Sequence, residues 1–288
     1  MPQNPGPDPK GGSTALSILR ATPAGLSTHE DSVATEEPLE IQLSYEKRGV
    51  RVTRSVSVTM RTPGNDEELA AGFLLGEGLI SERGQVAGIA PVKENTVQVS
   101  LAPGVEVDLR ALERHFYTTS SCGVCGKTSI EALGMARQVS LPADGPVMDF
   151  GTLLRLPETL RGAQSVFERT GGLHGAALFD PAGRLVAVRE DVGRHNAVDK
   201  VVGAEFLAGR TPQSRAVLVV SGRASFELMQ KALMAGIPIL AAVGAPSSLA
   251  VELARHHGAT LLGFVRDGRM NIYSGAHRLR EVQPAAAN

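Results

Sequence analysis

The sequence predicts a layered α/β domain over residues 140–280, preceded by a smaller α+β portion over residues 35–139. Two observations lead to this prediction. In the C-terminal half, continuous apolar runs alternate with segments of helical periodicity, as expected for buried parallel strands joined by helices. In the N-terminal half, apolar and polar residues alternate within short runs, which indicates half-buried strands. With 288 residues, of which 42% are hydrophobic, the chain is long enough to bury a large core.

The two ends of the chain differ from the rest in composition. Residues 1–34 are rich in Pro, Gly, Ser and Thr, so we expect a disordered or loosely attached tail there. Residues 281–288 are expected to form a second tail. Order should begin near Pro38, and residues 39–45 and 54–60 then predict a hairpin of two half-buried strands.

Local patterns predict the remaining elements of the N-terminal portion. The hairpin should turn at Arg48-Gly49. Asn65 is the expected N-cap of a helix whose first turn is acidic. We expect further strands at residues 96–101 and 105–109, and a helix that begins near Thr128. The apolar face of the first helix would consist of Leu69, Phe73, Leu74 and Ile80.

The C-terminal domain has the most regular pattern. Helical spacing covers residues 150–170, and residues 174–179 and 184–188 predict a hairpin that turns at residues 180–183. After residue 192, three helices alternate with three apolar strands. We expect the helices at residues 194–208, 224–235 and 247–257, and the strands at residues 216–220, 238–243 and 260–265.

Charge and composition argue against several classes of function. The net charge is −1, Trp is absent and aromatic residues make up only 4%, so there is no electrostatic or stacking argument for nucleic acid. The same net charge offers no attraction to an anionic membrane surface. The N-terminus lacks the apolar core of a signal peptide, and no apolar run is long enough to cross a bilayer. Two neighbouring thiols without a disulfide framework suit a reducing compartment, so we expect a cytoplasmic protein.

Three loops at the predicted carboxyl edge of the parallel strands carry anion-binding residue types. Ligands of parallel α/β sheets bind beyond this edge. Two of the loops lead directly into helices, whose N-terminal N–H groups suit phosphate, and Arg adds a bidentate donor. Ordinary helix caps and loops are the alternative. No Walker or Gly-x-Gly-x-x-Gly sequence opens a βα unit, so the sequence does not indicate an ATPase or a Rossmann dehydrogenase. The loops comprise residues 221–225, 244–248 and 264–269, with Ser221, Arg223, Arg266 and Arg269 as leading contacts.

The chain contains two cysteines, Cys122 and Cys125, in one polar loop with glycine neighbours. Sulfur carriage, dithiol redox work and metal binding all fit this pair. A structural zinc site needs four ligands, of which the pair supplies two, and a thioredoxin-like dithiol belongs in a βαβ context. A sulfur carrier needs a nucleophilic thiolate on a mobile loop. The nearby Lys127 would favour the thiolate by lowering the pKa of the thiol. From the residues alone the three alternatives stay open.

Two histidines lie among polar residues near the predicted edge. His174 begins a strand, and His195 begins a helix close to Glu190 and Asp191. Each suits either a hydrogen-bonded structural role or the wall of a site. As functional residues, we consider both for assistance in proton transfer.

Six segments, in consistent order over residues 38–274, resemble the FdhD family of sulfur-carrier accessory proteins of formate dehydrogenase. Their number and order make the resemblance far more specific than the Cys-x-x-Cys motif alone. The segments are residues 61–80, the cysteine loop at 117–127, Gly171-Gly-Leu-His-Gly-Ala, residues 189–200, Ser221-Gly-Arg-Ala-Ser and residues 263–273.

The resemblance implies a mechanism of sulfur transfer. A cysteine desulfurase would load a persulfide onto Cys122, with Cys125 assisting. The sulfur would then pass to the molybdenum bis(molybdopterin guanine dinucleotide) cofactor before insertion into formate dehydrogenase. The alternative is a zinc-binding or dithiol redox module without sulfur-transfer activity. The implied cofactor-binding residues are Ser221, Gly222, Arg223, Phe264, Val265, Arg266, Asp267, Gly268 and Arg269.

The resemblance also implies a three-layer fold similar to that of the cytidine deaminases, a homodimer, and no metal bound by the protein itself. Deamination is not expected. Zinc deaminases need His-x-Glu followed by Pro-Cys-x-x-Cys, whereas the segment His174-Gly-Ala lacks the glutamate and the cysteines precede the histidine.

Overall fold

The computed structural model describes residues 11–107, 140–143 and 145–281. Its first element is an antiparallel hairpin of β1 (Ser13–Thr22) and β2 (Gly25–Ala34), paired along its whole length. The prediction of a disordered tail is therefore wrong for residues 13–34. Most of the prolines that suggested it precede residue 10, whereas the hairpin strands contain the Leu, Ile, Val and Thr side chains typical of β-ribbons. Residues 1–10 and 282–288 lie outside the described ranges.

A four-stranded sheet follows the hairpin. β3 (Glu37–Lys47) and β4 (Val50–Arg61) form the predicted pair, and their turn falls at Arg48-Gly49, where both residues have positive φ. β5 (Val86–Lys93) and β6 (Thr96–Leu101) complete the sheet in the order β4-β3-β6-β5, with β3 and β6 parallel. Alternate side chains of β3 and β6 are fully buried, which gives the sheet one core face.

Helix α1 (Asp66–Gly76) connects the two halves of this sheet. Asn65 occupies the N-cap position as predicted, but its backbone is left-handed (φ 58°) and its side chain makes no capping hydrogen bond. The acidic first turn stabilises the helix N-terminus electrostatically instead. Ile80, expected on the apolar face of this helix, is buried beyond its end.

Several other expectations have a clear outcome within the described ranges. Residues 105–107 are not a strand, so the prediction for residues 105–109 is wrong in the part that is described. The cysteine loop and the helix expected near Thr128 lie outside the described residues. Across residues 11–107, 140–143 and 145–281, no helix is both long and apolar enough to span a bilayer.

The C-terminal domain begins with β7 (Met148–Asp149), α2 (Phe150–Gly162) and α3 (Ser165–Thr170). The single helical stretch predicted at residues 150–170 is therefore two helices, and each has its own acidic cap. The Asp149 carboxylate accepts a hydrogen bond from the Thr152 N–H at 2.6 Å. The Glu190 carboxylate accepts from the N–H groups of Val166 and Phe167 at the start of α3.

The predicted hairpin at residues 174–188 and the alternation of helices and strands after residue 192 are both confirmed. The elements are β8 (His174–Phe179), β9 (Leu185–Asp191), α4 (Arg194–Leu207), β10 (Val217–Val220), α5 (Phe226–Met234), β11 (Ile239–Ala242), α6 (Ser248–His256), β12 (Thr260–Arg266), β13 (Arg269–Ser274) and β14 (Leu279–Arg280). β14 pairs with β7. The other strands form one sheet in the order β13-β12-β11-β10-β8-β9, in which β10, β11 and β12 are parallel as predicted. β8 is antiparallel to both of its neighbours.

Alternate residues of the six-stranded sheet face two separate apolar layers. Val217, Val219 and Ile239 pack on one side with the leucines of α2. Leu218 and Leu240 belong to the opposite layer, with apolar residues of α4, α5 and α6. The predicted three-layer α/β architecture is therefore confirmed. The four-stranded sheet adds a further layer outside α1 and α4, within the same hydrophobic cluster.

The two portions of the chain share one core because α1 and α4 cross in close contact. A Cβ atom at Gly72 would lie 1.9 Å from the Asp199 carbonyl oxygen, and one at Gly203 would lie 1.8 Å from the Glu68 carbonyl oxygen. Only hydrogen atoms fit at these two positions. The crossing therefore depends on one glycine from each helix.

Replacing Gly203 with Ala is expected to lower the free energy of unfolding by about 3 kcal/mol, because the methyl group would overlap backbone atoms of α1. Urea denaturation followed by circular dichroism measures the change. Gly162→Ala is the matched control, since nothing lies within 4 Å of its added Cβ. The control should shift the free energy by no more than about 1 kcal/mol. Wild-type stability of Gly203→Ala would contradict the close crossing.

Candidate functional site

The loops at the carboxyl edge of the six-stranded sheet are joined by backbone hydrogen bonds that continue beyond the strands. The Ser221 N–H donates to the Gly175 carbonyl at 3.0 Å, and the Ser221 hydroxyl accepts from the Gly175 N–H at 2.9 Å. The Gly244 N–H donates to the Gly222 carbonyl at 2.9 Å, and the Phe264 N–H to the Gly244 carbonyl at 3.0 Å. The structure therefore brings three of the predicted ligand-binding residues, Ser221, Gly222 and Phe264, into one continuous edge.

Two helices begin side by side at this edge. The loops that precede α5 and α6 remain paired, because Ala224 exchanges backbone hydrogen bonds with Ala245 and Ser247. Ser247 caps α6 by accepting the Ala250 N–H at 3.2 Å, whereas the Ser225 side chain makes no capping bond to α5. The first N–H groups of both helices therefore face the same edge, where the helix dipoles favour an anion.

Glycine allows the loops to approach each other this closely. A Cβ at Gly244 would lie 3.0 Å from both the Gly222 carbonyl oxygen and Arg223 Cγ, and one at Gly263 would lie 2.7 Å from Pro246 Cδ. Arg223 itself is exposed and forms no hydrogen bond or ion pair with any residue that the structure describes. Its guanidinium is therefore available to a ligand.

The predicted residues 264–269 form the tip of the β12–β13 hairpin. Asp267 and Gly268 have positive φ at the turn, and the side chains of residues 266–269 are exposed. The Arg266 guanidinium lies 5.8 Å from the centre of the Phe264 ring and 3.7 Å from Asp267. Val265 is fully buried among the α2 leucines, so only its backbone faces the turn.

The two histidines lie at the same edge, beside the loop after β10. His174 begins β8 opposite Asp191, and its Nδ1 would be 3.4 Å from a Cβ at Gly222. Burial, followed by the charge of Arg194, lowers the pKa of His174.

His195 belongs to the first turn of α4. Its Nε2 lies 3.3 Å from the Ser225 hydroxyl and 3.8 Å from the Glu227 carboxylate. Interaction with His195, together with the Ser225 hydroxyl, lowers the pKa of the Glu227 carboxyl to about 2. Both histidines therefore lie at the carboxyl edge of the sheet, and His195 has protein partners there.

A buried polar network beneath the edge is centred on Asp191, the last residue of β9. Its carboxylate accepts hydrogen bonds from the N–H groups of Thr62 (3.1 Å) and Gly193 (2.8 Å) and from the Asn196 amide (3.0 Å). The Lys200 ammonium lies 2.7 Å from this carboxylate and also donates to the Thr62 carbonyl at 2.7 Å. The two charged side chains are 0% and 1% exposed. Together these contacts fix the turn from β9 into α4 and join it to the end of β4.

A second buried ion pair joins α4 to α5. The Lys231 ammonium lies 2.8 Å from the Asp199 carboxylate. Burial raises the pKa of Asp199, while the neighbouring ammonium opposes this effect. The pair joins α4, whose first turn carries His195, to α5, whose N-cap is Ser225.

Comparison with known proteins decides the family. The model of the FdhD/NarQ family matches residues 34–280. The chain belongs to the FdhD/NarQ family. The resemblance inferred from the sequence is therefore confirmed.

Members of the family with similar sequences carry the name sulfur carrier protein FdhD. The chain is 51% identical to that of Streptomyces avermitilis over 280 residues, which is 94% of this chain and 96% of the relative. It is 50% identical to that of Mycobacterium tuberculosis over 264 residues, 88% and 93% of the two chains. A crystal structure from Desulfotalea psychrophila, described as a candidate formate dehydrogenase accessory protein, superposes with a TM-score of 0.73 at 26% identity. The superposition covers 93% of this chain and 100% of the Desulfotalea psychrophila chain.

The FdhD/NarQ segments that are far apart in sequence meet at this edge of the sheet. Residues 171–176, 189–200 and 221–225 contact one another directly, and residues 263–273 join them through Gly244. Thr62 of the early segment reaches the same place through Asp191. Cys122, Cys125 and Lys127 lie outside the described residues. In the part that is described, no group of three or more His, Cys, Asp or Glu residues is arranged to hold a metal.

Sequence reasoning missed one residue of the edge, Arg194. It begins α4 directly beside the two histidines, and its Nε atom is buried with no hydrogen-bond partner among the described residues. The sequence shows Arg194 within the Arg-His-Asn segment, but it does not show which residues of other strands lie beside it.

Replacing Lys200 with Met is expected to cost about 3 kcal/mol of unfolding free energy, because it leaves the Asp191 charge buried without a counter-ion. Chemical denaturation at neutral pH measures the loss. Lys93→Met is the matched control, since Lys93 pairs with Glu40 at 3.6 Å but is 68% exposed. It should change stability by less than about 1 kcal/mol. Similar effects of the two substitutions would show that the buried network is not important for stability.

Proposed function

We propose that this chain is a sulfur carrier that supports the activity of a formate dehydrogenase. Membership of the FdhD/NarQ family supports this role. The observation that carries the proposal is the convergence of the family segments on one anion-attracting edge, from Ser221 to the β12–β13 turn. A carrier needs such a surface to hold an acceptor while sulfur is delivered to it.

The proposed acceptor is the molybdenum bis(molybdopterin guanine dinucleotide) cofactor, which acts here as a substrate that receives sulfur and then leaves. Two features of the edge suit a guanine dinucleotide. The first N–H groups of α5 and α6 suit its phosphates, together with Ser221, Gly222 and Arg223. The turn at residues 264–269 offers the partly exposed Phe264 ring to a purine base and the charges of Arg266 and Arg269 to phosphate.

Sulfur loading is proposed at Cys122. Its thiolate attacks the outer sulfur of a persulfide on a cysteine desulfurase, the sulfur–sulfur bond of the donor breaks, and the donor cysteine leaves as a thiolate. The sulfane sulfur moves between two equivalent thiols, so this step needs no external oxidant or reductant. The product is a persulfide on Cys122.

Release of that sulfur as sulfide requires two electrons, which Cys125 would provide. The Cys125 thiolate attacks the inner sulfur of the persulfide, a disulfide forms between Cys122 and Cys125, and hydrosulfide leaves toward the cofactor. A cellular dithiol reductant then restores both thiols.

Family resemblance further leads us to propose a homodimer.

Incubation of the protein with a cysteine desulfurase and free cysteine should add about 32 Da, the mass of one sulfur atom, to the intact chain. The addition should be reversed by dithiothreitol and absent from Cys122→Ala. Cys125→Ala should still load but should retain its sulfur. No added mass on either the wild type or Cys125→Ala, in which the sulfur cannot be released by Cys125, would exclude the carrier role. Stoichiometric zinc that is lost in Cys125→Ala would favour the metal-binding alternative.

Guanosine diphosphate should bind the wild type, and Arg266→Ala should weaken binding by about 1.5–3 kcal/mol, because a charged hydrogen bond to phosphate is lost. Isothermal titration calorimetry measures both affinities. Arg155→Ala is the control, since Arg155 is exposed on α2, on the opposite face of the sheet. Equal affinity of Arg266→Ala and wild type would show that the nucleotide does not bind at the β12–β13 turn.

A further inference from the structure

One part of the edge carries more positive charge than the protein neutralises. Four basic side chains surround the start of β8 and the start of α4: His174, Arg194, His195 and Arg223. Three carboxylates lie near them. Asp191 and Asp199 are buried and paired with Lys200 and Lys231, and Glu227 lies 3.8 Å from His195. Arg194, Arg223 and the His174 ring therefore have no carboxylate partner among the described residues.

Arg194 occupies an electrostatically unfavourable position. It is the first residue of the 14-residue helix α4, where the helix dipole already places positive charge. Its Nε–H is buried from water and has no hydrogen-bond acceptor among the described residues. A buried donor without an acceptor is destabilising, and native proteins rarely contain one without a functional reason. An anion beside Arg194 would satisfy both the donor and the dipole.

His174 is the second member of the group. Its ring lies against Gly222 and forms no hydrogen bond with any described residue. Burial and the charges of Arg194, His195 and Arg223 all lower the pKa of His174, and Asp191 opposes them. Without a ligand, the ring therefore loses its proton more readily than an ordinary imidazole. A bound anion would raise its pKa, and His174 would take up a proton.

We propose that His174, Arg194 and Arg223 form a diphosphate-binding subsite where β8, α4 and the loop after β10 meet. Arg194 and Arg223 would each offer a guanidinium fork, and protonated His174 would donate a third charged hydrogen bond. The subsite is distinct from the β12–β13 turn, to which neither Arg194 nor His174 is joined by a hydrogen bond or ion pair among the described residues. It rests on the proposed function for its ligand, the diphosphate of a guanine dinucleotide.

Inorganic pyrophosphate is the probe that isolates this subsite. In calorimetric titrations of the full chain, Arg194→Gln and His174→Gln should each weaken pyrophosphate binding about tenfold or more. The matched controls are Arg155→Gln on α2 and His29→Gln on the β1–β2 hairpin, which should bind within about twofold of the wild type. Unchanged binding by both site variants would overturn the subsite.

Thermal unfolding separates a binding role from a structural one. Without anion, Arg194→Gln should melt at the same temperature as the wild type or higher, because an unsatisfied cation is removed. Pyrophosphate should raise the melting temperature of the wild type much more than that of the variant. A lower melting temperature of Arg194→Gln without anion would instead assign Arg194 a structural role and contradict the proposal.

The proton taken up by His174 gives an independent readout. Sulfate remains a dianion from pH 5 to 8, so any pH dependence of its binding there arises from the protein. Imidazole resonances followed by NMR should show a higher pKa of His174 in sulfate than in chloride at equal ionic strength. An identical pKa in the two salts would exclude His174 from the subsite.

The results also separate this inference from the proposed function. If guanosine diphosphate binding depends on Arg266 but not on Arg194 or His174, the proposed subsite is wrong and the proposed function is not affected. If pyrophosphate binding depends on Arg194 but Cys122 accepts no sulfur, the subsite stands and the carrier role falls. If the wild type binds neither pyrophosphate nor guanosine diphosphate, both nucleotide proposals are wrong.

Discussion

The buried carboxylate of Asp191 holds together the parts of the molecule that form the candidate site. It lies at the end of β9 and contacts Lys200 in α4 and Thr62 after β4 at the same time. An ionised pair with almost no solvent exposure is stable only when further hydrogen bonds satisfy it, and Gly193 and Asn196 provide them. These contacts fix the first turn of α4, which carries Arg194 and His195 at the edge of the sheet.

The N-terminal portion is therefore part of the site even though none of its described residues faces the proposed ligand. Thr62 links β4 to the Asp191 network, and Gly72 lets α1 lie directly against α4. Because the hydrophobic cluster runs from the four-stranded sheet to the six-stranded sheet without interruption, neither portion has a complete core alone. The rigid support beneath α4 contrasts with the exposed Arg223 side chain at the edge, which has no hydrogen-bond or ion-pair partner among the described residues.

The C-terminal architecture was predictable because its strands are buried on both faces, which leaves continuous apolar runs in the sequence. The loops at residues 221–225, 244–248 and 264–269 were placed at one edge by the rule for parallel strands, and backbone hydrogen bonds confirm that they adjoin. The β1–β2 hairpin was not predicted, because the composition was averaged over residues 1–34. In that average the prolines outweighed the alternation of apolar and polar residues within the two strands.

The position of Arg194 beside the start of β8 was beyond sequence reasoning for a different reason. It depends on β8 running antiparallel beside β10, which brings the start of β8 and the end of β9 to the carboxyl edge of the parallel strands. Strand order of this kind is set by packing between distant segments and leaves no local pattern. The buried state of Lys200 was hidden in the same way, because a lysine in an amphipathic helix usually faces water.

The crossing of α1 and α4 has a consequence for synthesis of the protein. Gly203 is translated roughly 130 residues after Gly72, which corresponds to about 7–26 s at the usual speed of a bacterial ribosome. During that interval α1 and the sheet beneath it emerge with their apolar face uncovered. The nascent chain must therefore avoid aggregation until its C-terminal half appears, and its dependence on chaperones should exceed that of a protein whose halves fold one after the other.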